Sequence, residues 1–531
     1  MKTKKSEKRV LIFQQRNWGK IIGRPLAKKL FEDGCKLAAF TSKRSVHELI
    51  VAQNDVRYEL IINHDDILSN PSKFLGNRKI SIKEIVDDLG IDSIWSLASS
   101  IRQYARSYQE KYYYSFRKSV PDEVIENYIK AVYLSIKEVF QKFNPEVIIA
   151  PNFVSLHHIM FNLYAKKRGV RMSALTDSKI AGIYIFAENY LENIGCFYNK
   201  VDKLNQGSVI SPSNARAKEY ILQLRKGGKV SDESKESKRV SLIKGINPLI
   251  RLRSHIMRMG TFSRCLSLAG IKKIKKELAP VRDILLWYKN GSQDYLESVP
   301  ITTGYRPPKY IIRDYLCQKR YKRFAKKFKY HDLSKIGKFV YFPLQVQPET
   351  VIDVTAPYFS NQIETARLIA MSLPGDYTLV VKEHPAMIGV RTPSYLEKVA
   401  RTVNVKLVDY RIPTNEIMKS ADLIISPGGT TIFEAAILKK PAIQLGELGS
   451  TLKLPNVTRH TDLTTLDKII IKKLQENLDT ELYETKLLNY VSAAYDTGYE
   501  VDFPGVWTGS STASEKERER LVDVYFNEVK R

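Results

Sequence analysis

The sequence predicts an α/β protein with two doubly wound domains facing a cleft, and three observations carry that prediction. The chain has 531 residues, beyond the size at which one hydrophobic core keeps growing, so two cores with a cleft between them are expected. Near the amino terminus, short apolar runs alternate with amphipathic stretches, the rhythm of strand, crossover helix and parallel strand. The same rhythm returns with greater regularity from Lys338 onward.

In order, "RVLIF" reads as the first strand, "QQRNWGKIIG" as a polar loop, the stretch from Pro25 to Glu32 as a helix and "CKLAAF" as the next strand. "PEVIIAP" has the apolar run of a buried strand, "SLHHIMFNLYAKKRG" is helical and "VRMSALT" is strand again. This is the first domain, 1–206. From about residue 207 to 337 the character changes. "KGGKVSDESKESKR" is polar enough to be a linker, and a basic helical insert follows. In "KRYKRFAKKFK", seven of eleven residues are cationic, with Tyr321, Phe324 and Phe328 between them. Three readings stay open for it: a solvated helix face covering an aromatic stripe, a segment lying on an anionic membrane surface, or a nucleic-acid patch, which no accompanying reading motif supports. "INPLIRLRSHIMRMG" has the same basic, amphipathic character.

The second domain, 338–470, then reads without gaps. "FVYFPLQ", "TLVVK", "VKLV", "DLIIS" and "PAIQL" are strands, and "YFSNQIETARLIAMSL", "SYLEKVARTV", "TNEIMKSA" and "TIFEAAILKK" are the helices between them. The remaining 471–531 is helical and is expected to pack back across the domain boundary.

Composition narrows the class. No stretch approaches the 18 apolar residues needed to span a bilayer, and the basic start "MKTKKSEKRVLIF" lacks the apolar core and cleavage site of a signal peptide. Cys35, Cys196, Cys265 and Cys317 stand far apart, with no metal-site spacing. A cytoplasmic protein is expected. The net charge of +28 favours polyanions of any kind without choosing among them.

Two segments carry the candidate chemistry, both at strand ends, where open α/β sheets collect ligands. "LVVKEHPAMIG" ends a buried strand on Lys382, Glu383, His384 and Pro385. Pro385 disfavours helical geometry for the residue before it, so His384 stays extended and its ring can leave the sheet; capping the strand is the plainer alternative. "SPGGTTIFEAAILKK" joins a strand to a helix through Gly428 and Gly429, and the helix amino terminus is a ready phosphate site. No GxxxxGK[ST] loop or GxGxxG fingerprint is present, which removes the main support for ATPase and simple dinucleotide readings. Glu434 has two readings: Thr431 to Glu434 spell a T-x-x-E capping box, or the carboxylate accepts from the hydroxyls of a ribose.

"YFPLQVQPE", "VVKEHPAMIG" and "SPGGTTIFEAAILKKPAI", in this order and spacing, resemble the carboxy-terminal half of the bacterial capsule polysaccharide biosynthesis family, which includes the β-Kdo transferases of capsule linkers. The match covers roughly residues 338 to 450. The resemblance implies a GT-B glycosyltransferase fold with a nucleotide-sugar donor in the second domain. His384 would lie at the donor phosphate, Ser426, Gly428, Gly429, Thr430 and Thr431 around the nucleotide, and Glu434 near the ribose; Lys382 joins His384 as a protein donor able to neutralise that phosphate. A His-Pro pair also occurs in bacterial sialyltransferases and in polymerases using CDP-glycerol, so the resemblance favours a CMP-linked sugar such as CMP-Kdo.

No Asp-x-Asp occurs in the sequence, so no metal or separate cofactor is expected, and protein donors would stabilise the leaving phosphate. Asp177 and Glu349, at strand ends facing the presumed cleft, are the candidates for the acid or base that transfer needs, with a structural role as the alternative for each. His157 and His158 are adjacent in a predicted helix, where neighbours point apart, and receive no role. The expected enzyme transfers a sugar to a lipid-linked or polysaccharide acceptor at the inner face of the cytoplasmic membrane. The rival readings are a non-catalytic GT-B-like scaffold in polysaccharide assembly, a CDP-glycerol-type polyol-phosphate transferase and, least supported, a nucleic-acid binder.

Overall fold

The computed structural model describes residues 7–105, 120–227, 278–299, 307–508 and 515–531. The basic stretch 246–260 and all but the start of the predicted linker 226–239 lie outside the described residues. So does Cys265.

The first sheet is built from β1 (Arg9–Gln15), β2 (Lys36–Ser42), β3 (Tyr58–Asn63), β4 (Val147–Ala150), β5 (Arg171–Asp177), β6 (Ile183–Ala187) and β13 (Tyr499–Glu500). Its order is β13-β6-β5-β4-β1-β2-β3. The run from β3 to β5 is parallel, while β6 and β13 add an antiparallel edge. Strand β1 is apolar on both faces because both are covered. Val10 and Ile12 share a core cluster with Leu26 and Tyr525; Leu11 and Phe13 share another with Tyr128 and Phe161. The predicted polar loop after β1 is instead helical from Arg16 and runs on into the helix Arg24–Glu32. Its apolar members explain this, since Trp18 and Ile22 are fully buried.

The second sheet contains β7 (Phe339–Pro343), β8 (Thr378–Lys382), β9 (Val405–Val408), β10 (Leu423–Ser426), β11 (Ala442–Gln444) and β12 (Val457–Arg459). It is parallel throughout, in the order β12-β11-β10-β7-β8-β9. Counted from β7, this is the 3-2-1-4-5-6 order of a Rossmann sheet, which reverses direction between β7 and β10 and leaves a crevice at their carboxyl ends. The first sheet reverses in the same way between β1 and β4. Two Rossmann-like sheets of this kind match the expected GT-B-like architecture.

The loops at the two sets of carboxyl ends meet. Ser99 donates to the Asp353 carbonyl at 2.6 Å, Arg102 pairs with Asp353 at 3.3 Å, and the Gly449 amide donates to the Leu191 carbonyl at 2.8 Å. A Cβ on Gly449 would overlap Asn193 and the Glu192 carbonyl, so only glycine allows this approach. Helix Glu481–Thr497 lies against both halves, its Tyr483 hydroxyl donating to Ala436 and its Tyr490 hydroxyl to Ser178. Helix Glu515–Lys530 packs under the first sheet, where Arg171 and Ser173 both reach the Glu528 carboxylate.

Helix Pro308–Lys327 covers the second core with Phe324, and Phe328 just beyond its end packs there too. The aromatic stripe read from the sequence therefore faces inward. On the outer face Ile312 is 49% and Leu316 59% exposed, in line with exposed Arg320, Arg323 and Lys327.

Candidate functional site

The crevice of the second sheet is bounded by β8 on one side of β7 and β10 on the other, and each contributes one of the segments singled out above. At the end of β8, His384 is extended, with φ −67° and ψ 129°, as the following proline requires. Its Nδ1 accepts the Ala386 amide at 3.2 Å. A nitrogen that accepts carries no proton, so the proton sits on Nε2, which becomes a donor. Burial, with the charges of Lys382 and Arg391, lowers the ring's pKa to about 4, so the imidazole is neutral at physiological pH. The capping alternative is thus realised through one nitrogen while the other remains available for chemistry.

Lys382 is 4% exposed, and its ammonium donates to the Ile412 carbonyl at 3.1 Å and the Thr414 hydroxyl at 2.6 Å. It ties the end of β8 to the helix Thr414–Ser420 and acts on His384 through its charge. Glu383 is fully buried and pairs with Arg391 at 2.6 Å. Arg391 also donates to the Gln345 carbonyl at 2.6 Å, and the Gln345 amide reaches the Ser426 hydroxyl at 3.3 Å. This chain of contacts, Glu383 to Arg391 to Gln345 to Ser426, braces the ends of β8, β7 and β10 against one another. Sequence reasoning missed Arg391 and Gln345, because nothing in their local spacing signals a long-range partner.

At the end of β10, Ser426 is fully buried. Its hydroxyl donates to the Gly428 carbonyl at 2.9 Å and accepts the Gly428 amide at 3.3 Å, so it shapes the loop. Gly428 and Gly429 have φ of 155° and 90°, a region L side chains rarely enter. This turn delivers the chain into helix Thr430–Ile437, whose first amides lack intrahelical acceptors and sit at the positive end of its dipole. Thr430 and Thr431 are half-buried in that first turn. The capping box is not formed: the helix begins one residue before Thr431, Gly429 is its cap and no side chain bonds there. Glu434 lies a turn further on, half-buried, and its charge adds to the burial that holds the Tyr341 phenol above its ordinary range.

Asp177 and Glu349 come together around one residue. Lys179 pairs with Asp177 at 3.4 Å. Burial opposes its charge, yet Asp177, Glu192 and Glu349 together hold the ammonium above the ordinary lysine range. Glu349 has an exposed side chain, yet desolvation by neighbouring protein raises its pKa, with Lys179 and Arg102 opposing the rise and Asp353 adding to it. Glu192, which the sequence did not single out, is 9% exposed with one carboxylate oxygen unpartnered. Its pKa is raised by burial against the pull of Lys179.

The expectation that His157 and His158 point apart is corrected. They open the helix Leu156–Lys167 with rings 4.4 Å apart, both reach the Ser155 hydroxyl, and His157 lies 4.2 Å from the ring of His64. At a helix start the preceding serine offers one shared partner, which draws the rings together. Among the described residues, no three His, Cys, Asp or Glu are grouped to hold a metal ion.

No protein family matches the sequence, and no curated protein matches it. Among solved structures, a calicheamicin glycosyltransferase aligns over 96% of this chain and 100% of its own at 11% identity, with a TM-score of 0.25. The UDP-GlcNAc 2-epimerase of Neisseria meningitidis, bound to UDP-GlcNAc, aligns over 92% and 98% at 11% identity and 0.24. That of Methanocaldococcus jannaschii, in complex with UDP-GlcNAc and UDP, aligns over 90% and 97% at 13% and 0.23. Likenesses this remote carry no argument about chemistry, and the fold rests on the strand orders given above.

Proposed function

We propose that this protein is a glycosyltransferase that takes a sugar from a nucleotide-sugar donor bound at the second sheet. The observation that carries the reading is the pairing, across β7, of a neutral His384 Nε2–H donor with the Gly428–Gly429 turn into a helix amino terminus. Together they supply hydrogen bonds and a positive dipole to an anionic leaving group, without an ammonium placed on it. Ser426 and Gln345 hold the turn, Thr430 and Thr431 border it, and Glu434 is the candidate for the ribose hydroxyls. A CMP-linked sugar is the donor the sequence resemblance favours. Asp177 and Glu349, on the cleft wall, are the candidates for activating the acceptor hydroxyl. The acceptor is a surface glycan or its lipid-linked precursor, reached with the outer face of helix Pro308–Lys327 on an anionic membrane: Ile312 and Leu316 would enter the interface while Arg320, Arg323 and Lys327 meet the headgroups. Among the described residues, no helix is long and apolar enough to cross a membrane.

Thermal unfolding with a panel of nucleotides and nucleotide sugars tests this. A ligand at a hundred times its dissociation constant stabilises by about 2.7 kcal/mol, so CMP or a CMP-sugar should raise the midpoint, and His384→Ala should lose the rise while staying folded. No shift with any nucleotide, or an undiminished shift in the variant, would overturn the reading.

A further inference from the structure

A second constellation lies at the carboxyl edge of the first sheet, on the far side of the cleft from the donor turn. Register puts Gln15 of β1 directly beside Ser42 of β2. The β1–β4 pairing ends at Ile12 and Ile149, and Asn152 follows two residues after the end of β4, the strand on the other side of β1. All three carry a buried oxygen with no hydrogen-bond partner: Gln15 Oε1, Ser42 Oγ and Asn152 Oδ1. Gln15 is 8% and Ser42 9% exposed. Buried polar atoms are ordinarily satisfied, and leaving one unpaired is destabilising. Three such oxygens at the end of neighbouring strands where strand order reverses mark a place where hydroxyl groups of a ligand belong.

The residues that follow two of them are cations in left-handed backbone, Arg16 with φ 47° and Lys43 with φ 93°. Such geometry is strained for a non-glycine residue and gathers at ligand sites. The two lie close enough that the Arg16 charge depresses the Lys43 amine. Burial is the larger cause, Asp65 and Asp294 pull the other way, and the result is a pKa of about 8. Asp65 also accepts the Arg44 amide, and Asp294 the Ser45 amide and hydroxyl. An anion placed between Arg16 and Lys43 adds to these carboxylates in stabilising the charged form of the amine.

We propose that this edge binds a sugar bearing a phosphate, its hydroxyls bonding Gln15, Ser42 and Asn152 and its phosphate lying between Arg16 and Lys43. Calling that sugar the acceptor rests on the proposed transfer function; its binding does not.

The test labels the full-length protein with acetic anhydride and follows the rate at Lys43 by peptide mass spectrometry. Inorganic phosphate slows labelling several-fold, and at least one of glucose 1-phosphate, N-acetylglucosamine 1-phosphate and mannose 1-phosphate slows it further. Arg16→Gln, at an exposed position, abolishes the protection by all of them. Gln15→Leu removes only the excess that the sugar adds. Gly429→Val, which disables the donor turn, leaves the protection intact, so failure of the nucleotide reading would be seen separately. The proposal is overturned if Lys43 is labelled equally fast with and without these phosphates, if no sugar phosphate exceeds phosphate, or if CMP protects as well as they do.

Discussion

Arg391 Nη1 stands 2.6 Å from Glu383 Oε1, with both side chains at 1% exposure or less. A buried pair of this kind is costly to break from one side, because the survivor keeps its charge without a partner: about 3–5 kcal/mol. Arg391→Met should lose that much stability in urea denaturation and also weaken nucleotide binding, since the same guanidinium holds the Gln345 carbonyl. Adding Glu383→Leu should recover most of the stability and none of the binding. A loss under about 1 kcal/mol in the single variant would show that the pair does not brace the strand ends.

The two glycines of the donor turn should respond in a fixed order. At Gly429 an added Cβ has room, its nearest neighbour being Gln345 Oε1 at 3.8 Å, so Gly429→Ala pays only for backbone conformation, about 1–2 kcal/mol. At Gly428 the Cβ would also press on Leu448 Cβ at 3.3 Å, so Gly428→Ala should cost more. Equal effects, or none, in chemical denaturation would contradict the left-handed turn.

His384 also leaves a mark on acid stability. In the folded chain its pKa is about 4, against an ordinary 6.5, so between those values the unfolded chain binds the proton and the folded chain does not. Stability therefore falls as pH drops from about 6.5 to about 4, by up to roughly 3 kcal/mol from this group. His64 and His158, lowered by burial to about 3, act in the same direction and steepen the wild-type curve. His384→Asn keeps a side chain able to cap the following turn and removes one titrating group. Its unfolding free energy should decline less over that window; an unchanged slope would place the ring in a more hydrated setting than the structure gives it.

The second sheet was legible because each of its strands is a short apolar run and each intervening helix a clear amphipathic stretch, so local periodicity and tertiary position agree. Only its short edge strand β12, half open to solvent, went unread. The first half was read at β1, β2, β4 and β5, whereas β3, β6 and β13 border or form its edges and show no strong pattern. The segment after β1 reads as a loop from its polar residues, while the buried Trp18 and Ile22 drive helix formation instead. At the site, Pro385 and the paired glycines announced their geometry through backbone chemistry, which is local. Arg391 reaches Gln345 and Gln345 reaches Ser426 across long stretches of sequence, and Lys179 feels Glu349 as well as the nearby Asp177; no single-sequence spacing records the distant contacts.

The last prediction concerns Lys179, which links the two carboxylates proposed for acceptor activation. Burial raises the Glu349 pKa and Lys179 is the largest of the charges opposing that rise, so Lys179→Met must move it further upward. A general base works only when deprotonated, and its contribution is typically 10²–10⁴-fold. If Glu349 is the base, Glu349→Gln should cut sugar transfer by about that factor with little change in nucleotide binding. In Lys179→Met the acid limb of the rate profile should then shift to higher pH. If Asp177 has the role instead, Asp177→Asn should show the large loss and Glu349→Gln should not. Transfer at wild-type rates in both carboxamide variants would remove the base from this wall and leave the Lys179 cluster as a structural contact between the two halves.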